Sequence, residues 1–257
     1  MTLFVGTSGW QYRDWRGVLY PRGCPTRLWL EEYAAAFATV ELNNAFYRLP
    51  ERETFASWRA RVPADFVIAV KASRFLTHVK RLREPAEPVR RLMSRAAGLG
   101  GRLGPVLLQL PPTLRADPDL LDACLARFPP GARVAVEPRH DSWWTSRVRG
   151  VLESRGAALC WADAHGRPVT PLWRTADWGY VRFHVGRARA WPHYGRRCLA
   201  TWVARTAATW PDDLDVYAYF NNDPTGAAVE DATAFAAAAH RAGRTVTRTP
   251  ARPPAHR

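Results

Sequence analysis

Residues 180–185 read Tyr180-Val181-Arg182-Phe183-His184-Val185. The alternation has the period of two that belongs to a β-strand, with Val181, Phe183 and Val185 on one face and Arg182 and His184 on the other. The apolar face is one that helices cover. The polar face then needs partners or a ligand, because an unpartnered ion buried in a protein costs on the order of several kcal/mol.

The same pattern extends outward in both directions. Strand-like runs occupy 3–8, 39–43, 66–73, 105–110, 133–139, 158–163, 180–185 and 215–221. Helical stretches lie between them near 26–38, 51–62, 85–98, 118–128, 145–155, 196–210 and 225–242, whereas 165–178 reads as a polar loop. Asp117-Pro118 has the form of an N-cap followed by proline in the first turn, and Gly156 and Gly243 stand where left-handed helix ends are expected. Regular β–α alternation predicts a parallel sheet, and eight units predict closure into an α/β (β/α)8 TIM-like barrel. The length of 257 residues suits one such domain, assigned to 1–243. Residues 244–257, rich in Arg, Pro and Thr without periodicity, read as a disordered basic tail. No G-x-G-x-x-G follows the first strand, which argues against the open dinucleotide-binding sheet.

Applied to each strand, the alternation sorts residues by face. Val40 and Leu42, Ile68 and Val70, Val106, Leu108 and Leu110, Val134 and Val136, and Val216, Ala218 and Phe220 take the helix side. Glu41 and Asn43, Lys71, Gln109, Glu137 and Arg139, Arg182 and His184, and Tyr217, Tyr219 and Asn221 are left for the interior. In the sixth strand Asp163 shares a face with Trp161, and both are assigned inward. Polar residues thus gather at the C-terminal strand ends, where active sites of this fold sit.

The residue types suggest roles. Glu137, Asp163 and His184 are acid–base candidates. Lys71 is an electrostatic or amine group: the chain uses arginine almost everywhere and contains only two lysines, Lys71 and Lys80, so a retained lysine points to a compact amine that titrates on burial. Arg139 and Arg182 have the fork that grips carboxylate or phosphate. Glu41, Asn43, Gln109, Tyr219 and Asn221 complete a substrate-binding set. Three acids (Glu41, Glu137, Asp163) against three bases (Lys71, Arg139, Arg182) make the mouth charge-balanced. No metal-ligand spacing is present, so neither a metal nor a cofactor is expected.

The formal charge of +14 raises the question of nucleic acid, and any binding through the basic surface and tail is expected to be weak and non-specific. Hydrophobic residues make up 47% of the chain, enough for a full core without disulfides. Cys24, Cys124, Cys160 and Cys198 form no C-x-x-C pair, in keeping with reduced thiols and a cytoplasmic location. No apolar run reaches the length of a membrane span.

Taken in order, several stretches resemble a bacterial and archaeal family called domain of unknown function 72. They are Gly6-Thr7-Ser8-Gly9-Trp10 with Tyr12, Trp15, Tyr20 and Pro21; Val40-Glu41-Leu42-Asn43 with Phe46-Tyr47-Arg48-Leu49-Pro50; and Lys71-Ala72-Ser73-Arg74 with Thr77-His78. Gln109-Leu110-Pro111-Pro112, Glu137-Pro138-Arg139-His140 with Ser142-Trp143, Arg182-Phe183-His184 and Tyr219-Phe220-Asn221-Asn222 continue the series. The resemblance implies a TIM-barrel fold and carries no reaction onto these residues. Val185 stands between His184 and Gly186, where the family usually has glycine directly after the histidine. The leading expectation is an enzyme acting on a small polar or anionic molecule in the barrel mouth. A nucleic-acid-binding or processing protein and a non-catalytic ligand-binding barrel are the alternatives.

Overall fold

Seven of the eight expected strands form as single strands, and the other forms in two pieces. The computed structural model describes residues 2–211, 213–223 and 225–250. The strands are β1 (Leu3–Ser8), β2 (Thr39–Leu42), β3 (Val67–Lys71), β4 (Leu103–Gln109), β5 (Val134–Glu137), β6 (Ala158–Leu159), β7 (Trp161–Ala164), β8 (Arg167–Pro168), β9 (Gly179–Phe183) and β10 (Val216–Phe220). They make one sheet in the order β6-β5-β4-β3-β2-β1-β10-β9-β7-β8. Every pairing is parallel except the short β7–β8 hairpin. The expected strand 158–163 is interrupted at Cys160: β6 pairs with β5, and β7 pairs with β9. With that division and the additional β8, the described residues hold ten strands rather than eight. The stretch read as a loop, 165–178, holds only β8 and no helix.

The longer helices are α1 (Trp29–Ala36), α3 (Arg52–Ala60), α4 (Ala86–Ala96), α5 (Pro118–Leu125), α6 (Ser146–Ser154), α7 (Arg196–Thr209) and α8 (Ala227–Arg241), with a single turn α2 (Asn44–Tyr47) after β2. Asp117 caps α5 by accepting from the Leu120 N–H at 3.0 Å. The apolar strand residues meet these helices as the alternation predicts. Phe183 stacks on Phe220 with ring centroids 4.3 Å apart and packs against Phe235 of α8. Burying each such side chain contributes about 1.5–3 kcal/mol.

The sheet is curled. Arg182 on β9 reaches Glu41 on β2 and Glu137 on β5, and Tyr219 Oη lies 2.7 Å from Thr39 Oγ1. A flat sheet would hold β9 and β5 too far apart for one side chain to bridge β2 and β5. Gly6 permits the tight approach of β1 to β2, since a Cβ there would stand 2.3 Å from the Thr39 carbonyl oxygen. The concave side is layered. Phe4 stacks on Tyr217 near the N-terminal ends; Ala69, Leu107, Ala135, Cys160, Tyr180 and Tyr219 form a middle layer; and charged residues lie above.

Part of the expected tail is folded. Leu3 N–H donates to Thr245 O and Thr247 N–H donates to Leu3 O, both at 3.0 Å, while Ala38 N–H donates to Arg248 O at 3.1 Å. Arg248 also pairs with Asp65 at 2.9 Å. The expectation of disorder is thus corrected for 244–250. Backbone pairing needs no apolar periodicity, so the pattern was blind to it. Residues 251–257 lie outside the described residues. Among the described residues no helix is long and apolar enough to cross a membrane.

Candidate functional site

Two buried carboxylates anchor the concave face at the C-terminal strand ends. Glu41 Oε1 accepts from Ser8 Oγ at 2.7 Å and from Arg182 at 2.8 Å, and Oε2 accepts from Tyr180 Oη at 2.7 Å. Glu137 Oε2 accepts from Arg182 at 2.6 Å, and Oε1 accepts from Arg139 at 2.6 and 3.0 Å. Arg182, 1% exposed, is therefore a bridge between two carboxylates that are themselves 0% exposed. Burial raises the pKa of both acids, but Arg182 and the hydrogen bonds around them outweigh it. Glu41 ends below the usual carboxylate value and Glu137 well below it, so both are ionised.

His184 Nε2 lies 2.9 Å from Glu137 Oε1 and 3.0 Å from an Arg139 nitrogen, and Nδ1 lies 3.4 Å from Asn221 Nδ2. An Nε2–H donating to Glu137, with Nδ1 accepting from Asn221, satisfies two of these contacts, and the Arg139 nitrogen beside Nε2 then donates to Glu137 and not to the ring. Burial lowers the imidazole pKa, with help from Arg182 and Arg139, against the pull of Glu137, so the ring is neutral near pH 7.

Lys71 differs from the other cations. Among the described residues its Nζ has no carboxylate within ion-pair distance. It sits 4.2 Å from the centroid of the Phe46 ring, contributed by α2. Burial first, then the charge of Arg182, lowers its pKa to about 8, with Glu41 and Glu137 opposing. Lys71, Asn43, Gln109, Arg139, Arg182, His184 and Asn221 line one cavity of about 520 Å³, together with Tyr12, Asn44 and the largely exposed Tyr47. A second cavity, about 270 Å³, adjoins it across Arg139 and His184 and is walled by Trp144, Ala162, Ala164, Val169 and Thr170.

Three expected site residues do not line the cavities. Glu41, expected to bind substrate, is fully buried and holds Arg182, Ser8 and Tyr180 instead. Asp163 faces the helices. Its carboxylate accepts from Tyr194 Oη at 2.7 Å, Trp202 Nε1 at 2.8 Å and Gly166 N–H at 3.0 Å. It does share a face with Trp161, as expected, but Trp161 packs against Trp202 and Trp210 on the helix side. The large indole fits between sheet and helices, and the small Cys160, Ala162 and Ala164 take the concave side. Tyr219 points inward but is fully buried one layer below Glu41, bonded to Thr39, and does not reach the cavity. It supports the floor beneath the cavity.

The alternation also points to two supporting residues. Tyr180 lies two residues before Arg182 on the same face, and Ser8 ends β1; both hold Glu41. Tyr12 Oη donates to the Ser8 carbonyl at 2.6 Å, and burial pushes its pKa up to about 12, so it stays protonated. Of the loop histidines, His78 bonds Thr77 Oγ1 at 2.9 Å and packs edge-on against Phe46. His140 accepts from Ser142 N–H at the start of a helical turn. Among the described residues no group of three or more His, Cys, Asp or Glu is placed to hold a metal ion.

Comparison with known proteins gives the same lineage by sequence and by fold. The UPF0759 protein YunF of Bacillus subtilis (strain 168) is 24% identical over 262 residues, covering 89% of this chain and 92% of that protein. The crystal structure of a DUF72 family protein from Thermotoga maritima matches with a TM-score of 0.74 and 26% identity, over 90% of this chain and 96% of that one. One from Enterococcus faecalis matches in fold with a TM-score of 0.77 at 19% identity, over 93% and 95%. The model of the family described as protein of unknown function DUF72 matches residues 4–256, and the chain belongs to that family.

Proposed function

We propose that this protein is an enzyme whose substrate is a small anionic molecule held in the cavity at the C-terminal strand ends. One observation carries the reading. The charges of Glu41 and Glu137 are balanced by Arg182 and Arg139, and Lys71 is the cation left over. A half-buried amine without a carboxylate partner favours a ligand that brings its own negative charge. Two unsatisfied polar atoms support it: Arg182 Nε and Asn43 Oδ1 are buried without a hydrogen-bond partner, and both residues line the cavity. Such orphans call for a polar ligand or water. In this reading Arg139, Asn43, Gln109 and Asn221 orient the substrate, neutral His184 is the proton acceptor, and Glu137 fixes its tautomer. The compartment beside Trp144 and Val169 takes an apolar substituent.

The same reading treats the sheet as an eight-fold (β/α)8 barrel in which β6 and β7 are one strand broken at Cys160. Cys160 N–H donates to Val136 O at 2.8 Å, carrying the β5 ladder past β6, while β7 continues to β9. The four free cysteines suit a reducing compartment and hence the cytoplasm.

The test is isothermal calorimetry with a panel of small carboxylates and phosphates on the wild type, Lys71→Met and Arg139→Ala. The expected result is binding of at least one anion, weakened about tenfold or more in both variants, or roughly 1.4 kcal/mol. Anion binding that neither substitution affects would remove the cavity from the account.

A further inference from the structure

Lys71 and Lys80 are nine residues apart, yet their settings differ. Lys80 extends from the loop after β3 and pairs with Glu84. Lys71 ends β3, lines the cavity and lies over the Phe46 ring with no carboxylate partner among the described residues. If the position called only for a fixed positive charge, arginine would serve, and this chain uses arginine for nearly all of its 37 basic side chains. Arginine lacks the one property a lysine adds here, a primary amine that can be uncharged and nucleophilic near neutral pH. Burial beside two guanidinium groups is the environment that activates such an amine, working against the Phe46 ring, whose face favours the ammonium form.

We infer that Lys71 is a nucleophile that condenses with the carbonyl group of a small anionic aldehyde or ketone to form an imine in the cavity. The inference rests on the reading of the cavity as an anion site. The Nζ lone pair attacks the carbonyl carbon, and the carbonyl π pair moves to oxygen, which takes a proton. Both hydrogens of the neutral amine end in water: one is the proton that this oxygen takes in forming the carbinolamine, and the other leaves nitrogen as the hydroxyl departs, leaving a C=N bond. No oxidant, reductant or metal is needed. Arg139 spends Nε and one terminal nitrogen on Glu137. Its other terminal nitrogen is placed to hold the anionic group of the substrate. The lowered pKa of Lys71, about 8, keeps a usable fraction of free amine at neutral pH.

The chain's two lysines make the test direct. The folded protein is incubated with glyoxylate and sodium cyanoborohydride, which reduces an imine to a stable secondary amine, and the modified lysine is located by peptide mapping. At pH 7 an amine titrating near 8 has on the order of a hundredfold more free base than an unperturbed lysine. Lys71 should therefore be labelled at least about tenfold faster than Lys80. Its labelling should saturate with glyoxylate, level off as pH rises through about 8, and be slowed by oxamate, an anion of similar shape that cannot form an imine. Binding of oxamate is measured separately by calorimetry on the wild type and Arg139→Ala. If oxamate binds in an Arg139-dependent way but Lys71 is not labelled faster than Lys80, the imine is wrong and the anion site stands. If oxamate does not bind and Lys71 labelling never saturates, the anion site and the imine built on it both fall.

Discussion

Replacing Arg182 with methionine tests the electrostatic design of the site most sharply. Methionine approximates the length of the side chain and removes its charge. Arg182 is the ion partner of both Glu41 and Glu137, at 2.8 and 2.6 Å. Their losses are unequal. Glu137 keeps Arg139 and His184, whereas Glu41 keeps only the hydroxyls of Ser8 and Tyr180. Stranding one buried carboxylate costs about 3–5 kcal/mol, and this is the expected loss at neutral pH. The pH dependence should change sign. In the wild type both acids have depressed pKa values, so their contribution is present above the unfolded value near about 4.3 and is lost as pH falls through the folded values. In Arg182→Met, burial dominates at Glu41 and raises its folded pKa. Stability is then greatest below the unfolded value and declines as pH rises toward the new one. Urea unfolding of both proteins between about pH 3 and about pH 7.5 measures this, the wild type losing stability below about pH 4.3 and the variant losing it above. Adding Glu41→Gln should recover about 2 kcal/mol or more, because it removes the stranded charge. A single variant within about 1 kcal/mol of the wild type at neutral pH, or with the same pH slope, would show that the bridge does not hold these carboxylates in place.

Three further outcomes follow from the placements above. Asp163→Asn offers one acceptor oxygen to the three donors on Asp163, so it should lower stability by about 1–3 kcal/mol while leaving anion affinity unchanged. Lost affinity at full stability would return Asp163 to the cavity. Purified protein should contain no stoichiometric transition metal by elemental analysis. One metal per chain that disappears in Glu137→Gln would contradict this. Binding to DNA or RNA should be non-specific and steeply salt-dependent. Ending the chain after Pro250 should reduce the salt slope by no more than about 2, since it removes only Arg252 and Arg257. A collapse of affinity on that truncation would make the terminal segment the nucleic-acid site.

Much of the fold was legible because burial imposes periodicity. Strands with helices on one side must alternate, and the runs around Val40, Val136, Phe183 and Phe220 do. The division at Cys160 was not legible. Whether a strand pairs on both sides along its whole length depends on its neighbours' curvature, and the run 158–163 has no glycine or proline to mark a break. Residues 244–250 were missed for a related reason. They are held by main-chain bonds to Leu3 and Ala38, by Arg244 and Arg248 donating to the carbonyls of Trp210 and Ala34, and by the Arg248–Asp65 ion pair, none of which has a side-chain period.

The inward-facing set of the candidate site was legible to the same depth, and the one acid assigned to the wrong face alters its charge balance. Alternation correctly groups Asp163 with Trp161, but it does not say which face is concave. That depends on side-chain volume, and Trp161 needs the space beside Trp202 and Trp210, so the pair turns toward the helices. With Asp163 counted inward, three acids oppose three bases and the mouth is neutral. With Asp163 engaged by Tyr194, Trp202 and Gly166, two acids oppose three bases. The surplus is Lys71, the cation without an acidic partner and the one whose charge its surroundings weaken most readily. A neutral mouth gave no reason to prefer an anion over any other polar molecule. On the proposed reading, one unpaired, titratable amine in the mouth favours a ligand with negative charge, and the proposed imine would form once that amine releases its proton beside the anion.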